Sequence, residues 1–331
     1  MEGIAFIVLW FASMVATLWE SKFNFKKEKT LIRISAITII GILILGGIFF
    51  TIGIPTGETV KVAGITVEHD IDYSNIIDVN TPKSEIEKYT KEIEELNNEL
   101  FKKSEKAADF GVKIIFWSEI AGILFEENEE AFLERGKSLA KEKNVYFAPS
   151  VLRFHYDSGY AENKIIMITP EGKIDHEYEK TISWYPTKSD GIIKTIDTPY
   201  GRIGSVICFD ADFSKFLRQA AKKNVDILIN PKFDTQMISP GHTFSGLIRG
   251  VEGGYSMISQ VNEGISIASD FRGNVLAYQD FFTTEDKTMI ADLPIKGRRT
   301  LYTYLGDWFI YLNVIFLVLL TTKTIRQKER I

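Results

Sequence analysis

The chain has 331 residues, 45% of them hydrophobic and 25% charged, with a single cysteine and a net charge of −5. Such proportions belong to ordinary globular proteins and exclude collagen-like, low-complexity and disulfide-scaffold classes. The acidic balance speaks against a nucleic-acid partner, because counterion release needs a strongly basic surface.

Residues 3–19 carry no charge, and neither do residues 34–57. An uncharged helix of about 20 residues matches the roughly 30 Å hydrocarbon core of a bilayer. Residues 34–57 therefore predict a transmembrane helix, and residues 3–19 a slightly short one. The alternative for each is a buried core helix of a soluble enzyme. A cleaved signal peptide fits poorly, since no basic region precedes the first run and no clean small-residue cleavage site follows it.

After Pro55 and Gly57 the pattern changes to short strands and amphipathic helices. VKVAGITV (60–67) reads as a strand. From Ser84 to Phe110, Ile86, Tyr89, Ile93, Leu96 and Leu100 recur at helical spacing. VKIIFW (112–117) predicts a buried strand, Asn128 to Lys143 a helix, and VYFAPS (145–150) another strand. Residues 164–178 predict a hairpin around Pro-Glu-Gly, and residues 192–209 a second around Pro-Tyr-Gly. A helix from Asp212 to Lys223, a strand at 226–231, a helix over 241–251 and strands at 255–261, 265–270 and 288–292 complete the segment. Strands alternating with helices and interrupted by hairpins predict an α/β domain with a mixed sheet. The usual nucleotide-binding glycine motifs are absent from the sequence.

Residues 308–322 form a third apolar run, shorter unless Leu301 to Asp307 extend it. Trp10, Trp19, Tyr302, Tyr304 and Trp308 supply interfacial aromatics. The linker 20–33 holds five Lys/Arg against two Glu, and the tail 323–331 four against one. The positive-inside rule places both in the cytoplasm and the segment between the spans on the outer face. The expected organisation is two transmembrane helices with a basic cytoplasmic linker (1–57), an external domain (58–300), and a C-terminal transmembrane helix with a basic tail (301–331). This describes a multi-pass protein of the cell membrane. Each basic segment contributes +3, which leaves −11 for the rest of the chain, almost all of it external.

Three strand ends carry candidate chemistry. Gly204 to Asp210 is a buried strand ending at Cys208, followed at once by a polar helix start, a setting that exposes a nucleophile beside backbone N–H groups. Taken alone, a cysteine in an apolar strand is more often a small core residue. Trp117-Ser118-Glu119 puts a carboxylate at the end of strand 112–117, and Tyr178-Glu179-Lys180 puts an ammonium after the first hairpin. A thiol needs a base, and an attacked carbonyl needs a cation or N–H donor for its oxyanion. Singly, Glu119 has a capping role as its alternative, and Lys180 a solvent-facing one. His155, His176 and His242 lack metal-ligand spacing, so no metal site is expected.

With Glu119, Lys180 and Cys208 in that order, residues 60–295 resemble the carbon–nitrogen hydrolase (nitrilase) superfamily and its Glu-Lys-Cys triad. Within it the chain looks most like the apolipoprotein N-acyltransferase branch. That branch carries Trp-Pro-Glu where this chain has Trp117-Ser118-Glu119, and Cys-Tyr-Glu where it has Cys208-Phe209-Asp210. The resemblance implies a nitrilase-like αββα sandwich with flanking transmembrane helices. It further implies Glu119 as general base, Cys208 as nucleophile, and Lys180 with the Phe209 N–H as oxyanion stabilisers, supported by Asp210. Trp117, Trp184 and Tyr185 are candidate pocket residues, as are Pro186, Phe281 and Phe282, with ordinary loop packing as the alternative. The chain departs from the branch in having fewer readable spans, Asp210 in place of glutamate, and no glutamate between Thr181 and Lys188.

The expected activity is cofactor-free acyl transfer through a cysteine thioester, from a membrane phospholipid to an amine such as a lipoprotein N-terminus. The first alternative is a membrane-tethered amidase that uses water as acceptor. The second is an inert membrane-anchored binding protein on the same scaffold. The sequence leaves the oligomeric state open.

Overall fold

The structure, a computed structural model, describes residues 2–51, 57–69, 71, 84, 89–125, 127–155 and 160–328. Two compact units are present, one of Met1–Ile54 with Leu305–Ile331 and the other of Pro55–Tyr304.

The terminal unit holds α1 (Glu2–Glu20), α2 (Lys29–Thr51) and the last helix of the chain, α8 (Trp308–Lys328). By length and composition, Lys29–Ile48 in α2 and Trp308–Gln327 in α8 are long and apolar enough to cross a membrane, whereas the apolar stretch Ala5–Glu20 of α1 is shorter. Their apolar side chains point outward, Leu9, Ile37, Leu43 and Leu317 among them. The hydroxyls of Thr17, Thr38, Thr321 and Thr322 bond back to the carbonyls four residues earlier, which satisfies them within the helix. The helix expected within 34–57 starts earlier, at Lys29, and residues 52–56 lie outside the described residues.

In the larger unit, the first sheet contains β1 (Thr59–Ile65), β2 (Ile114–Trp117), β3 (Gly122–Phe125), β4 (Tyr146–Ala148), β5 (Ser150–His155), β6 (Tyr160–Ile168), β7 (Ile174–Glu179) and β14 (Thr288–Pro294). Its order is β14-β1-β2-β4-β6-β5-β3, with β7 also paired to β6. The second sheet contains β8 (Thr195–Thr198), β9 (Gly201–Ser205), β10 (Ile227–Phe233), β11 (Ser256–Asn262), β12 (Ile265–Ser269) and β13 (Val275–Asp280), in the order β13-β12-β11-β10-β9-β8. Both are mixed. β1, β2 and β4 run parallel, as do β9, β10 and β11, while the hairpins add antiparallel pairs.

The sheets are apolar on both faces, so each must be covered twice. Val62, Ile114 and Phe116 of the first sheet meet Ile203, Ile229 and Ile258 of the second in a central layer. α3 (Thr90–Asp109) and α4 (Glu129–Lys143) cover the outer face of the first sheet, packing Leu100, Phe101 and Phe132 against Trp117 and Phe147. α3 is helical along this stretch because Ile93, Leu96, Leu100 and Phe101 fall on one buried face. α5 (Ser214–Lys222) packs Leu217 and Ala221 against the second sheet. α6 (Ser239–Gly253) runs so close that a Cβ at Gly246 would stand 3.3 Å from Met257 of β11. The result is the expected four-layer αββα arrangement, and the short helix α7 (Leu301–Leu305) follows β14 in the chain.

Three strands were not anticipated by the sequence pattern: β3, β5 and β13. The strand expected over 145–150 is in fact two. Pro149 has no N–H to donate, and there the chain, paired with β6 on both sides of the proline, exchanges β2 for β3 as its other neighbour. The helix expected from Asp212 is preceded by a separate 3-10 turn, Cys208–Asp212, and begins at Ser214. Residues 85–88 of the expected helix from Ser84 lie outside the described residues.

Candidate active site

Glu119 follows β2 by two residues, Lys180 directly follows β7, and Cys208 opens the 3-10 turn just beyond β9. The base and cation candidates thus come from the first sheet and the thiol from the second. Cys208 has φ of 47°, the left-handed region that side chains with a Cβ rarely adopt. Such a turn costs backbone energy, held here by the surrounding contacts.

Glu119 is 3% exposed, and its carboxylate is fully engaged. Oε1 accepts hydrogen bonds from Lys180 Nζ at 2.7 Å and Asn163 Nδ2 at 2.7 Å, and Oε2 accepts the Phe233 N–H at 2.9 Å. Burial works against the Lys180 ammonium, but Glu119 and then Cys208 outweigh it and hold its pKa above the usual lysine range. For Cys208, burial and then the Glu119 carboxylate push the thiol far above its ordinary range, with Lys180 and Lys232 pulling the other way. Its Sγ lies 3.8 Å from the Phe233 carbonyl.

Asp210 joins the two strand ends. Fully buried, it accepts hydrogen bonds from Tyr178 Oη at 2.5 Å and Ile182 N at 2.6 Å, and from Thr181 N and Ile207 N at 3.2 Å each. The residues flanking Lys180 are in this way fastened to the turn that carries Cys208. Phe209, next to the thiol in that turn, stacks its ring on Trp184 with centroids 6.0 Å apart.

A cavity of about 300 Å³ opens beside Glu119 and Lys180, and Cys208 is not among its lining residues. Glu119, Asn163 and Lys180 form its polar end, and Leu152, Trp184, Tyr185, Pro186 and Phe233 are among its apolar lining. Trp184 is 87% exposed and Tyr185 67%, so the mouth carries an aromatic lip. Trp117 lies elsewhere, which corrects its expected place in the pocket. Its indole is fully buried against Phe101, Phe132 and Phe147 and donates to Ser104 Oγ at 2.9 Å, because alternation along β2 turns it toward the helices. Phe281 and Phe282 are not among the lining residues, and Phe281 packs beneath Lys287 Nζ.

Several neighbours of the site had no local sequence signal. Asn163, within β6, reaches Glu119 across 44 residues of sequence. Lys232 is completely buried near the end of β10, where burial lowers its pKa, and it donates to the His242 carbonyl at 3.0 Å. Cys208, Asp234 and His242 bring potential ligand atoms within 4.8 Å of one another. Both His242 nitrogens lie 2.7 Å from carboxylates, Nδ1 in a hydrogen bond with Asp234 and Nε2 in ion-pair contact with Asp212, and the Lys232 charge acts on the same groups. His155 pairs with Glu162, and His176 with Asp175.

A family model described as carbon-nitrogen hydrolase matches residues 76–302. Among curated relatives, an apolipoprotein N-acyltransferase of Chlamydia caviae is 24% identical over 204 residues, covering 55% of this chain and 37% of that protein. Apolipoprotein N-acyltransferase 1 of Treponema denticola is 29% identical over 124 residues, covering 36% and 22%. The chain therefore spans well under half the length of these relatives. Among solved structures, an amidase from Nesterenkonia sp. superposes with a TM-score of 0.58 at 12% identity, covering 79% of this chain and 98% of that one. A mutant of the amidase from Nesterenkonia sp. AN1 in complex with butyramide gives 0.59 at 13% identity, covering 79% and 99%. At these identities the structural likeness concerns the fold.

Proposed function

The chain belongs to the carbon–nitrogen hydrolase family, and from that premise we propose that it is a membrane-anchored N-acyltransferase working through a thioester on Cys208. In this reading Glu119 takes the thiol proton and the sulfur attacks the carbonyl carbon of a phospholipid acyl ester. Lys180 and the Phe209 N–H stabilise the oxyanion, and the departing alcohol recovers the proton as the ester C–O bond breaks. An amine, taken to be a lipoprotein N-terminus, then attacks the thioester. It loses a proton, forms the amide and releases the thiol.

The observation that carries this reading is the Glu119–Lys180 pair at 2.7 Å at the polar end of an otherwise largely apolar cavity, with the Cys208 thiol near enough for that carboxylate to raise its pKa. The curated relatives named as N-acyltransferases support the choice of acceptor. Helices α1, α2 and α8 are the proposed membrane anchors, with residues 58–300 on the outer face, a placement supported by the basic linker and tail.

The deciding experiment is intact-mass analysis of the full chain in detergent micelles after incubation with phospholipid. A Cys208-linked acyl adduct that a lipopeptide amine discharges supports transfer. Discharge by water alone, with equal rates whether or not the amine is present, would make the protein a thiol hydrolase with water as acceptor. No adduct with any donor would leave the inert scaffold as the better description.

A further inference from the structure

We infer that His242 is a positioning residue that locks the Cys208 turn onto the end of β10. Its ring bridges carboxylates from two separate elements. Nδ1 stands 2.7 Å from Asp234 Oδ1, and Nε2 stands 2.7 Å from Asp212 Oδ2. Asp212 is the last residue of the 3-10 turn that Cys208 begins. Asp234 directly follows Phe233, whose carbonyl faces Cys208 Sγ and whose N–H holds Glu119. One imidazole therefore ties the segment bearing the thiol to the segment anchoring the carboxylate.

The turn needs such a tie. It has five residues, a 3-10 geometry with poorer hydrogen bonds than an α-helix, and a non-glycine residue at positive φ. Asp210 secures it toward the first sheet, and the His242 bridge secures its far end. The groups facing His242 are Asp212 from the turn, Asp234 and Lys232 from the end of β10, and Cys208. Burial disfavours the imidazolium and Lys232 opposes it, but the two carboxylates outweigh both and raise the histidine pKa. Asp234 is 1% exposed, and removing the ring would leave its carboxylate buried without this partner. Deprotonation at higher pH removes the cation between the two carboxylates, so the bridge weakens and the turn gains freedom. The inference concerns where the thiol is held, so it stands whether the acyl group passes to an amine or to water.

Cys208 is the only cysteine, so iodoacetamide labelling of the full chain in detergent micelles reports on this turn alone. His242→Gln and Asp212→Asn should each label about tenfold faster than wild type at neutral pH, the change that ~1.4 kcal/mol of lost local stability produces. Amide exchange should quicken across 208–212 in Asp212→Asn and stay unchanged in β9 and β10. Wild type should show an extra rise in labelling as pH passes the His242 titration, absent in His242→Gln. Asn97→Ala removes a buried hydrogen bond to Ile123 in the other sheet, and should lower the melting temperature without changing labelling. An unchanged or slower rate in either site variant overturns the inference, as does an equal acceleration in Asn97→Ala. If His242→Gln fails to fold, the labelling and exchange of Asp212→Asn decide it.

Discussion

Lys180 Nζ and Glu119 Oε1 form an ion pair at 2.7 Å, with both side chains largely withdrawn from water. Removing one partner of such a pair strands the other, at a cost of about 3–5 kcal/mol. Lys180→Met should therefore lower unfolding stability by about that amount in urea titrations. The Glu119→Gln, Lys180→Met double variant should recover part of the loss, while neither protein forms an acyl adduct. A single variant as stable as wild type would mean the pair is open to solvent.

The raised Cys208 pKa fixes the sign of an alkaline effect. The folded state keeps a thiol proton that the unfolded chain releases above about pH 8.5. The stability this contributes is complete below the unfolded pKa and is lost as pH rises through the folded one. Lys180, also raised, acts in the same direction. Cys208→Ala should consequently show a shallower fall in melting temperature above about pH 8.5 than wild type. Iodoacetamide labelling of the wild-type thiol should keep rising past that pH without a plateau.

Asp210→Ala would leave the Tyr178 hydroxyl and three backbone N–H groups without their acceptor. Each unsatisfied buried group costs about 1–3 kcal/mol. The expected result is a loss of several kcal/mol by urea titration, together with a fall in adduct formation greater than the unfolded fraction explains. Asp210→Asn keeps one acceptor oxygen and should lie between this variant and wild type on both measurements.

At the cavity mouth the expectation reverses, because Trp184 is 87% exposed. Trp184→Ala should change stability by less than about 0.5 kcal/mol. Acylation rates measured over a series of donor chain lengths should depend less on length in this variant, each buried CH₂ being worth ~0.8 kcal/mol. An unaltered length dependence would remove Trp184 from acyl-chain recognition.

The proposed topology is tested by extraction and proteolysis. The chain should remain with membranes after alkaline carbonate treatment, and protease added to intact cells should cleave within residues 58–300. Cleavage only after the cytoplasmic side is opened would reverse the orientation.

Most of the sandwich was legible because its strands and helices carry strong apolar periodicity. What escaped had physical reasons. β3 has four residues, all buried, too short for a period to declare itself. β13 exposes Val275, Leu276 and Tyr278 at the edge of its sheet, so burial does not mark it as a strand. β5 was hidden by Pro149, which reads as an ending where the chain merely changes partners. At the site, Glu119, Lys180 and Cys208 stood out because each closes a recognisable strand or hairpin. Asn163, Asp234 and His242 did not, since their roles come from contacts that only the stacking of strands creates. Trp117 faces the helices instead of the pocket, and a strand's ending does not reveal which face its last residue presents.

The seam between the sheets bears on how the protein is made. Carboxylate and ammonium end strands of one sheet, the thiol ends a strand of the other, and Asp210 fastens them only once both are stacked. Neither sheet alone therefore holds both the thiol and its candidate base, and the two meet only where the sheets are stacked.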